Sequence, residues 1–334
     1  MFICQKCGEA TNLPTCKKCG FIFPVINGIY QMTDLPNMNL DDLKGDKYIG
    51  YDNFIDQYGK PSGIDDFCKK AQLVNYEQYR ALQEGFSAGM WTTYSGMLVW
   101  KNQNPWTALR GQFYDVFLEQ NGGFYGYQHG AISLHIQLNL NDSSVCIVNQ
   151  TLSDQKDLTI SAELFDIHGK LLSKDDYKTS VLANKVSVQH KINSQSIKEE
   201  VYFLRLKLLD KENNLKDQNF YWLSQPGKSY EKLNELKETT LQAEFMLNTK
   251  GKKIAAISNS GSETAFFVRL KVTDEKSGVL TLPVFFSDNY ITLMPGESRE
   301  ISVDLTQLPE SLKSNSLNLS IEGWNIKNKS IKIE

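Results

Sequence analysis

Arginine, histidine and long apolar runs are all scarce in this chain of 334 residues, and each shortage excludes something. No apolar stretch approaches the roughly 20 residues of a membrane-spanning helix, so no membrane partner is expected. The start, Met1-Phe2-Ile3-Cys4-Gln5-Lys6-Cys7, is not a charged leader running into an apolar segment, which makes the cytoplasm the expected address. Charge of one sign is also lacking: 36 Lys and Arg stand against 39 Asp and Glu, a formal net charge of -3. Because both signs are spread along the chain, there is no broad basic footprint and nucleic acid is not an expected partner. Only 5 of the basic residues are arginine, so few sites could use a bidentate guanidinium fork; the lysine excess reads as composition rather than function. The 4 histidines, His129, His135, His168 and His190, lack metal-ligand spacing. His129 and His135 straddle a helix-to-strand change, and ordinary polar or partly buried roles are expected of all four. What is present, 41% hydrophobic and 11% aromatic residues, suffices for a sizeable core and two or three domains. The length is short, however, for a (β/α)8 barrel of about 250 residues carrying anything else.

Four of the 6 cysteines fall in the first twenty residues, as Cys4-x-x-Cys7 and Cys16-x-x-Cys19. A two-residue gap lets both thiolates of a knuckle face one ion, and two knuckles complete a tetrahedral sulfur shell at about 2.3 Å per bond. Gly8 and Gly20 follow the second cysteine of each pair, where a knuckle needs unhindered backbone. Zinc is the expected ion, with iron in a rubredoxin-like site using the same ligands. Four thiolates leave no open position, so the metal would be structural. A strand pair around Asn27-Gly28 should follow. Residues 1–51 resemble the zinc-ribbon leader of some bacterial S-adenosylmethionine-dependent methyltransferases, but no Gly-rich strand-to-helix loop follows Tyr51, so methyl transfer is not implied. Cys68 and Cys146 read as buried small side chains rather than nucleophiles.

From residue 61 the pattern becomes helical. Ser62 and Asp65 are spaced as a capping pair, and Phe67, Ala71, Val74, Leu82 and Phe86 recur near 3.6-residue spacing, predicting a helix over 64–85. A strand-like run, Gly96-Met97-Leu98-Val99-Trp100, a polar turn over 101–105 and a second helix over about 106–120 should complete one α/β unit. In such units the loop after the strand carries the binding chemistry. Residues 65–82 and 95–115, followed by blocks at 219–224, 282–290, 295–298 and 323–325, resemble glycoside hydrolase family 2, with endo-β-mannosidases and then exo-β-D-glucosaminidases as the nearest branches. The resemblance covers about 57–334 and makes 57–130 the end of a (β/α)8 barrel. It further implies a retaining mechanism with two glutamates about 5–5.5 Å apart. Both belong on earlier barrel strands and have no matching position here. Glu77 and Glu84 are read as solvated helix charges, not as replacements. Trp100 matches the tryptophan that forms an apolar floor beneath the sugar ring. Asn104 and Trp106 follow as substrate-binding candidates, Trp106 being as well suited to packing on the next helix.

Beyond Gly130 period-two strands separated by polar turns predict two immunoglobulin-like sandwiches, 131–226 and 227–334. The expected fold is therefore mainly β: two sandwiches preceded by a partial (β/α)8-barrel segment and, over 1–51, a zinc ribbon and linker. Trp222 and Trp324 could offer sugar platforms, though packing is the favoured reading. Two functions compete: the C-terminal part of a β-mannosidase-like hydrolase, partnered by a glycan or by the missing barrel portion and inactive alone, or a non-catalytic carbohydrate- or protein-binding module. A rearranged reading frame, joined between about Tyr51 and Tyr58, is a third way to such a chain.

Overall fold

A computed structural model describes residues 52–100, 102–103, 112–193, 197–313 and 315–333, together with four two-residue strands in the N-terminal part. These strands pair as β1 (Phe2–Ile3) with β2 (Ala10–Thr11) and β3 (Val25–Ile26) with β4 (Ile29–Tyr30). The second pair is the one expected around Asn27-Gly28. Cys4, Cys7, Cys16 and Cys19 lie outside the described residues.

Helix α1 (Asp52–Ile55) leads through a short 3-10 turn to α2 (Ile64–Ala88), which runs 25 residues. The capping partner is one residue later than expected: the Ser62 amide donates to Asp66 Oδ2 at 2.9 Å and the Ser62 hydroxyl at 3.2 Å. The buried face of α2 carries Phe67, Lys70, Leu73, Val74, Tyr76, Arg80 and Glu84, whereas Leu82, expected in the apolar stripe, is exposed. Lys70 is buried because its ammonium is satisfied by the Gly59 carbonyl and Asp66, each at 2.9 Å. Hydrophobic periodicity alone cannot register such paired charges.

Helix α3 (Gly122–Gly130) is capped by Asn121, whose side chain accepts from the Phe124 amide at 3.2 Å. Gly122 and Gly126 meet the backbone of α2: a Cβ on either would overlap the carbonyl of Gln72 or Tyr76. The two helices thus pack backbone to backbone, which only glycine permits.

The expected strand at 96–100 is absent, since 96–99 is irregular and Leu98 is 99% exposed. A strand needs a neighbour to share its ladder, and none of the described strands lies beside it. Residues 112–120 are likewise not helical. There the Asp115 carboxylate accepts from the Phe117 and Glu119 amides at 2.8 and 2.9 Å, and Leu118 adopts φ 67°, a local bonding scheme that competes with a helix. The partial-barrel reading of 57–130 therefore keeps its long helix but neither its strand nor the described part of its second helix.

The next seven strands are β5 (Leu134–Asn139), β6 (Ser144–Asn149), β7 (Gln155–Asp166), β8 (Leu171–Val181), β9 (Lys185–Lys191), β10 (Val201–Leu209) and β11 (Leu215–Ser224). They form two sheets, ordered β11-β10-β7-β8 and β5-β6-β9, with antiparallel pairing throughout. The chain then builds β12 (Gln242–Leu247), β13 (Lys253–Ser258), β14 (Ala265–Asp274), β15 (Phe285–Phe286), β16 (Ile291–Leu293), β17 (Ser298–Asp304), β18 (Leu317–Glu322) and β19 (Lys329–Ile333). Their sheets run β12-β13-β17-β15 and β16-β14-β18-β19.

Period-two alternation divides the interior into two cores. On β10, Tyr202, Leu204, Leu206 and Leu208 point between the sheets of the first sandwich, while Val201 and Phe203 point outward into a second core. That core joins α2 to the second sandwich through Tyr76, Trp222, Phe266 and Phe267, with ring centroids 5.4–6.0 Å apart. Residues 201–204 of β10 are covered on both faces and read as a continuous apolar run, whereas Arg205 and Lys207 alternate with Leu204, Leu206 and Leu208 beyond them.

Candidate functional site

Helix α2 ends at Gly89, whose carbonyl accepts from the Thr92, Thr93 and Tyr94 amides at 3.1, 2.8 and 3.1 Å. The chain folds back on the helix end, where Tyr94 packs on Phe86 with centroids 4.4 Å apart. Trp91 reaches sideways to the first sandwich, its Nε1 donating to Asn184 Oδ1 at 3.0 Å. Trp100 then stands 85% exposed. Just beyond it, the Asn102 carbonyl accepts from the Phe113 and Tyr114 amides at 3.1 and 3.0 Å, anchoring the return of the chain. An exposed indole of this kind can present its face to the C–H-rich side of a pyranose ring. Asn104 and Trp106 lie outside the described residues.

A second cluster was not anticipated from the sequence. Glu84 is 2% exposed rather than solvated, and its Oε1 accepts from Asn219 Nδ2 at 2.6 Å and from the Tyr221 hydroxyl at 2.9 Å. His135 is 1% exposed, with Nε2 3.3 Å from Glu84 Oε1 and Nδ1 2.8 Å from Asp217 Oδ2. The Arg80 guanidinium lies 4.2 Å from the Tyr221 ring centroid. Burial alone would lower the pKa of His135, but the hydrogen bonds and charges of Asp217 and Glu84 outweigh it and raise it to about 9. Asp217, Asn219 and Tyr221 sit at i, i+2 and i+4 on β11, so they share one face of the strand. The alternation of Asp217, Asn219 and Tyr221 along β11 is the sequence signal that could have exposed the cluster.

Glu84 cannot reach a substrate from this position. Glu77 is partly buried and accepts from the Tyr58 hydroxyl at 3.1 Å. Cys146 is buried as expected, its thiol pushed up to about 12 by burial and then by Glu84, whereas Cys68 is exposed on α2. The other histidines bridge elements: His129 joins the Tyr76 hydroxyl to Asp288, each at 2.8 Å, and His168 lies 2.6 Å from Glu263. Trp222 is 2% exposed and donates to the Tyr58 hydroxyl at 2.7 Å; Trp324 donates to the Leu233 carbonyl at 2.8 Å. Both serve packing. Among the described residues no group of three His, Cys, Asp or Glu is placed to hold a metal, and no helix is long and apolar enough to cross a membrane.

Two family models match the β-rich part: a mannosidase Ig/CBM-like domain over residues 141–226 and an exo-β-D-glucosaminidase Ig-fold domain over 219–326. Among curated relatives, a mannosylglycoprotein endo-β-mannosidase of Lilium longiflorum is 33% identical, covering 95% of this chain and 39% of that protein. The match therefore reaches into the residues before 57. An exo-β-D-glucosaminidase of Amycolatopsis orientalis is 28% identical over 85% of this chain and 30% of its own length. The crystal structure of the exo-chitosanase from the same organism superposes with a TM-score of 0.73 at 26% identity, covering 84% of this chain and 36% of that one. A Dictyoglomus thermophilum β-D-mannosidase, TM-score 0.65 at 17% identity, shares the fold. The chain spans less than two fifths of the length of these relatives. It is homologous to the β-mannosidase and exo-glucosaminidase members of glycoside hydrolase family 2 and carries their immunoglobulin-like domains.

Proposed function

We propose that these 334 residues act as the C-terminal part of a β-mannosidase-like glycoside hydrolase of the endo-β-mannosidase kind, working on β-linked mannosides or related glycans. Supporting this is the agreement in fold and sequence with an exo-chitosanase over 84% of the chain, at a TM-score of 0.73. In this reading Trp100 forms the apolar floor of the sugar site, with Asn104 and Trp106 beside it. The acid/base and nucleophile glutamates have no counterpart here and are supplied by a barrel portion. Retaining hydrolysis needs two carboxyl groups about 5–5.5 Å apart. The one deeply buried glutamate near the candidate segment, Glu84, is already bonded to Asn219 and Tyr221.

Purified chain should not hydrolyse p-nitrophenyl β-mannoside or β-glucosaminide. Adding a separately expressed barrel portion of the lily relative should restore turnover, and Trp100→Ala should then lower kcat/KM by roughly tenfold or more through loss of stacking area. Glutamate-dependent turnover by the chain alone would refute this reading. So would a reconstituted enzyme indifferent to Trp100.

We further propose that Cys4, Cys7, Cys16 and Cys19 hold one structural zinc. The pairing of β1 with β2, which brackets Cys4 and Cys7, supports a knuckle there. Elemental analysis should find about one zinc per chain, lost in Cys7→Ser; iron instead would show itself by visible thiolate-to-iron absorption.

A further inference from the structure

The first sandwich has an open side between β5 and β11, which are edge strands of its two sheets. Edge strands present unpaired amides, and here β11 supplies side chains to those of β5. Asp217 Oδ2 accepts from the Ile136 amide at 2.8 Å, and the Tyr221 hydroxyl accepts from the Leu138 amide at 2.9 Å. Helix α2 lies across the same seam. Gln137 Nε2 donates to the Glu84 carbonyl at 2.9 Å, and the Glu84 side chain joins Asn219, Tyr221 and His135. One imidazole therefore ties three elements together.

We propose that His135 is a proton-operated latch that holds the last turns of α2 on the first sandwich and thereby sets the position of residues 89–100. Both ring nitrogens face carboxyl oxygens, Nδ1 toward Asp217 and Nε2 toward Glu84. Only the imidazolium can donate at both; the neutral ring must turn one lone pair toward a carboxylate. The titratable and charged groups around it are Glu84 and Arg80 from α2, Asp217 and Tyr221 from β11, and Cys146 from β6. The latch carries to residues 89–100 because Glu84 lies one turn before the end of α2. The return segment is bonded to that end through the Gly89 carbonyl and to the sandwich through Trp91 and Asn184. This inference stands apart from the glycosidase reading, since it concerns how one part of the chain sits on another.

The sign follows from the raised pKa. With the ordinary value at 6.5 and the folded value about 9, the stabilisation is fully present below 6.5 and is lost as pH rises through 9. Hydrogen exchange on the full chain, corrected for intrinsic rates, should show amides of residues 80–88 and of Ile136 and Leu138 losing about tenfold or more protection between pH 7 and pH 10. Protection in β12–β19 should hold, showing that the fold persists. His135→Gln should show the low protection at both pH values. Should that variant not fold, Asp217→Asn should move the loss to lower pH by about one unit or more. Equal protection of the wild-type seam at both pH values would overturn the latch, as would an unchanged pH-dependent loss in either variant.

Discussion

Substituting Arg80 with alanine is expected to lower the unfolding free energy by about 3–5 kcal/mol, the range for removing one partner from a buried charged network. Arg80 is 1% exposed and is the largest side chain so deeply enclosed among the described residues. Its guanidinium lies 4.2 Å from the ring centroid of Tyr221, 5.3 Å from Trp222 and 5.4 Å from Tyr76, and Nη1 donates to the Phe220 carbonyl. Burial opposes the charge, but the facing Glu84, Tyr221 and Tyr76 groups outweigh it and hold the guanidinium protonated. Truncation would remove the cation, its three ring contacts and the donor to Phe220, and leave the buried Glu84 with the His135 imidazolium as its remaining positive neighbour. Arg80→Lys keeps the charge but not the flat stacking surface and should lose roughly 1–2 kcal/mol. Urea unfolding followed by tryptophan fluorescence reports directly, since Trp222 is beside the guanidinium. A loss below about 1 kcal/mol for the alanine variant would show that the network relaxes around the gap.

Gly126→Leu should be at least as damaging, destabilising by about 3 kcal/mol or more and in the extreme preventing the helix pair from forming. A Cβ at Gly126 would overlap the carbonyl, carbonyl carbon and Cα of Tyr76, which are backbone atoms with no rotamer to escape into. Relief requires α3 to move off α2, which would pull the Tyr76 hydroxyl from His129 Nδ1, now 2.8 Å away. That in turn loosens the His129–Asp288 link to the second sandwich. Gly85 provides the opposite control. It lies on the exposed side of α2 with nothing within 4 Å of an added Cβ, so Gly85→Ala should stabilise by about 0.5–1 kcal/mol. Thermal melts of the two variants should move in opposite directions. A neutral Gly126→Leu would mean that the helices do not cross as closely as described.

Much of the β architecture was legible from the residues. The runs around Ile136, Ile147, Ile160, Leu204 and Ile257 alternate or stay apolar over strand length, and each became a strand of the expected sandwiches. Between β16 and β17 the Glu297 amide donates to the Met294 carbonyl at 3.1 Å, closing a turn in which Gly296 adopts φ 81°, where glycine is favoured. Residues 89–100 and 112–120 were not legible. A strand at 96–100 was expected from a strand-like run and from the barrel resemblance, but pairing depends on what lies alongside, and 112–120 follow the Asp115 carboxylate instead of helix propensity. The candidate site divides in the same way. Trp100 was singled out by resemblance and stands exposed, whereas Glu84 was read as a solvated helix charge and His135 as an ordinary polar or partly buried residue, and both are buried in one cluster.

By itself, the sequence determined the elements whose cause is local. Apolar residues in period two and Gly-bearing turns each act within a few residues, and the family resemblance is a pattern of the same kind. Only the tertiary structure decided which charges are interior. Glu84 lies 51 residues from His135 and 135 from Asn219 along the chain, and their meeting at the seam of the first sandwich makes their burial tolerable. A charged side chain enters a core only when partners from other elements satisfy it, so its burial is a property of the assembled elements and not of its own neighbourhood in the chain.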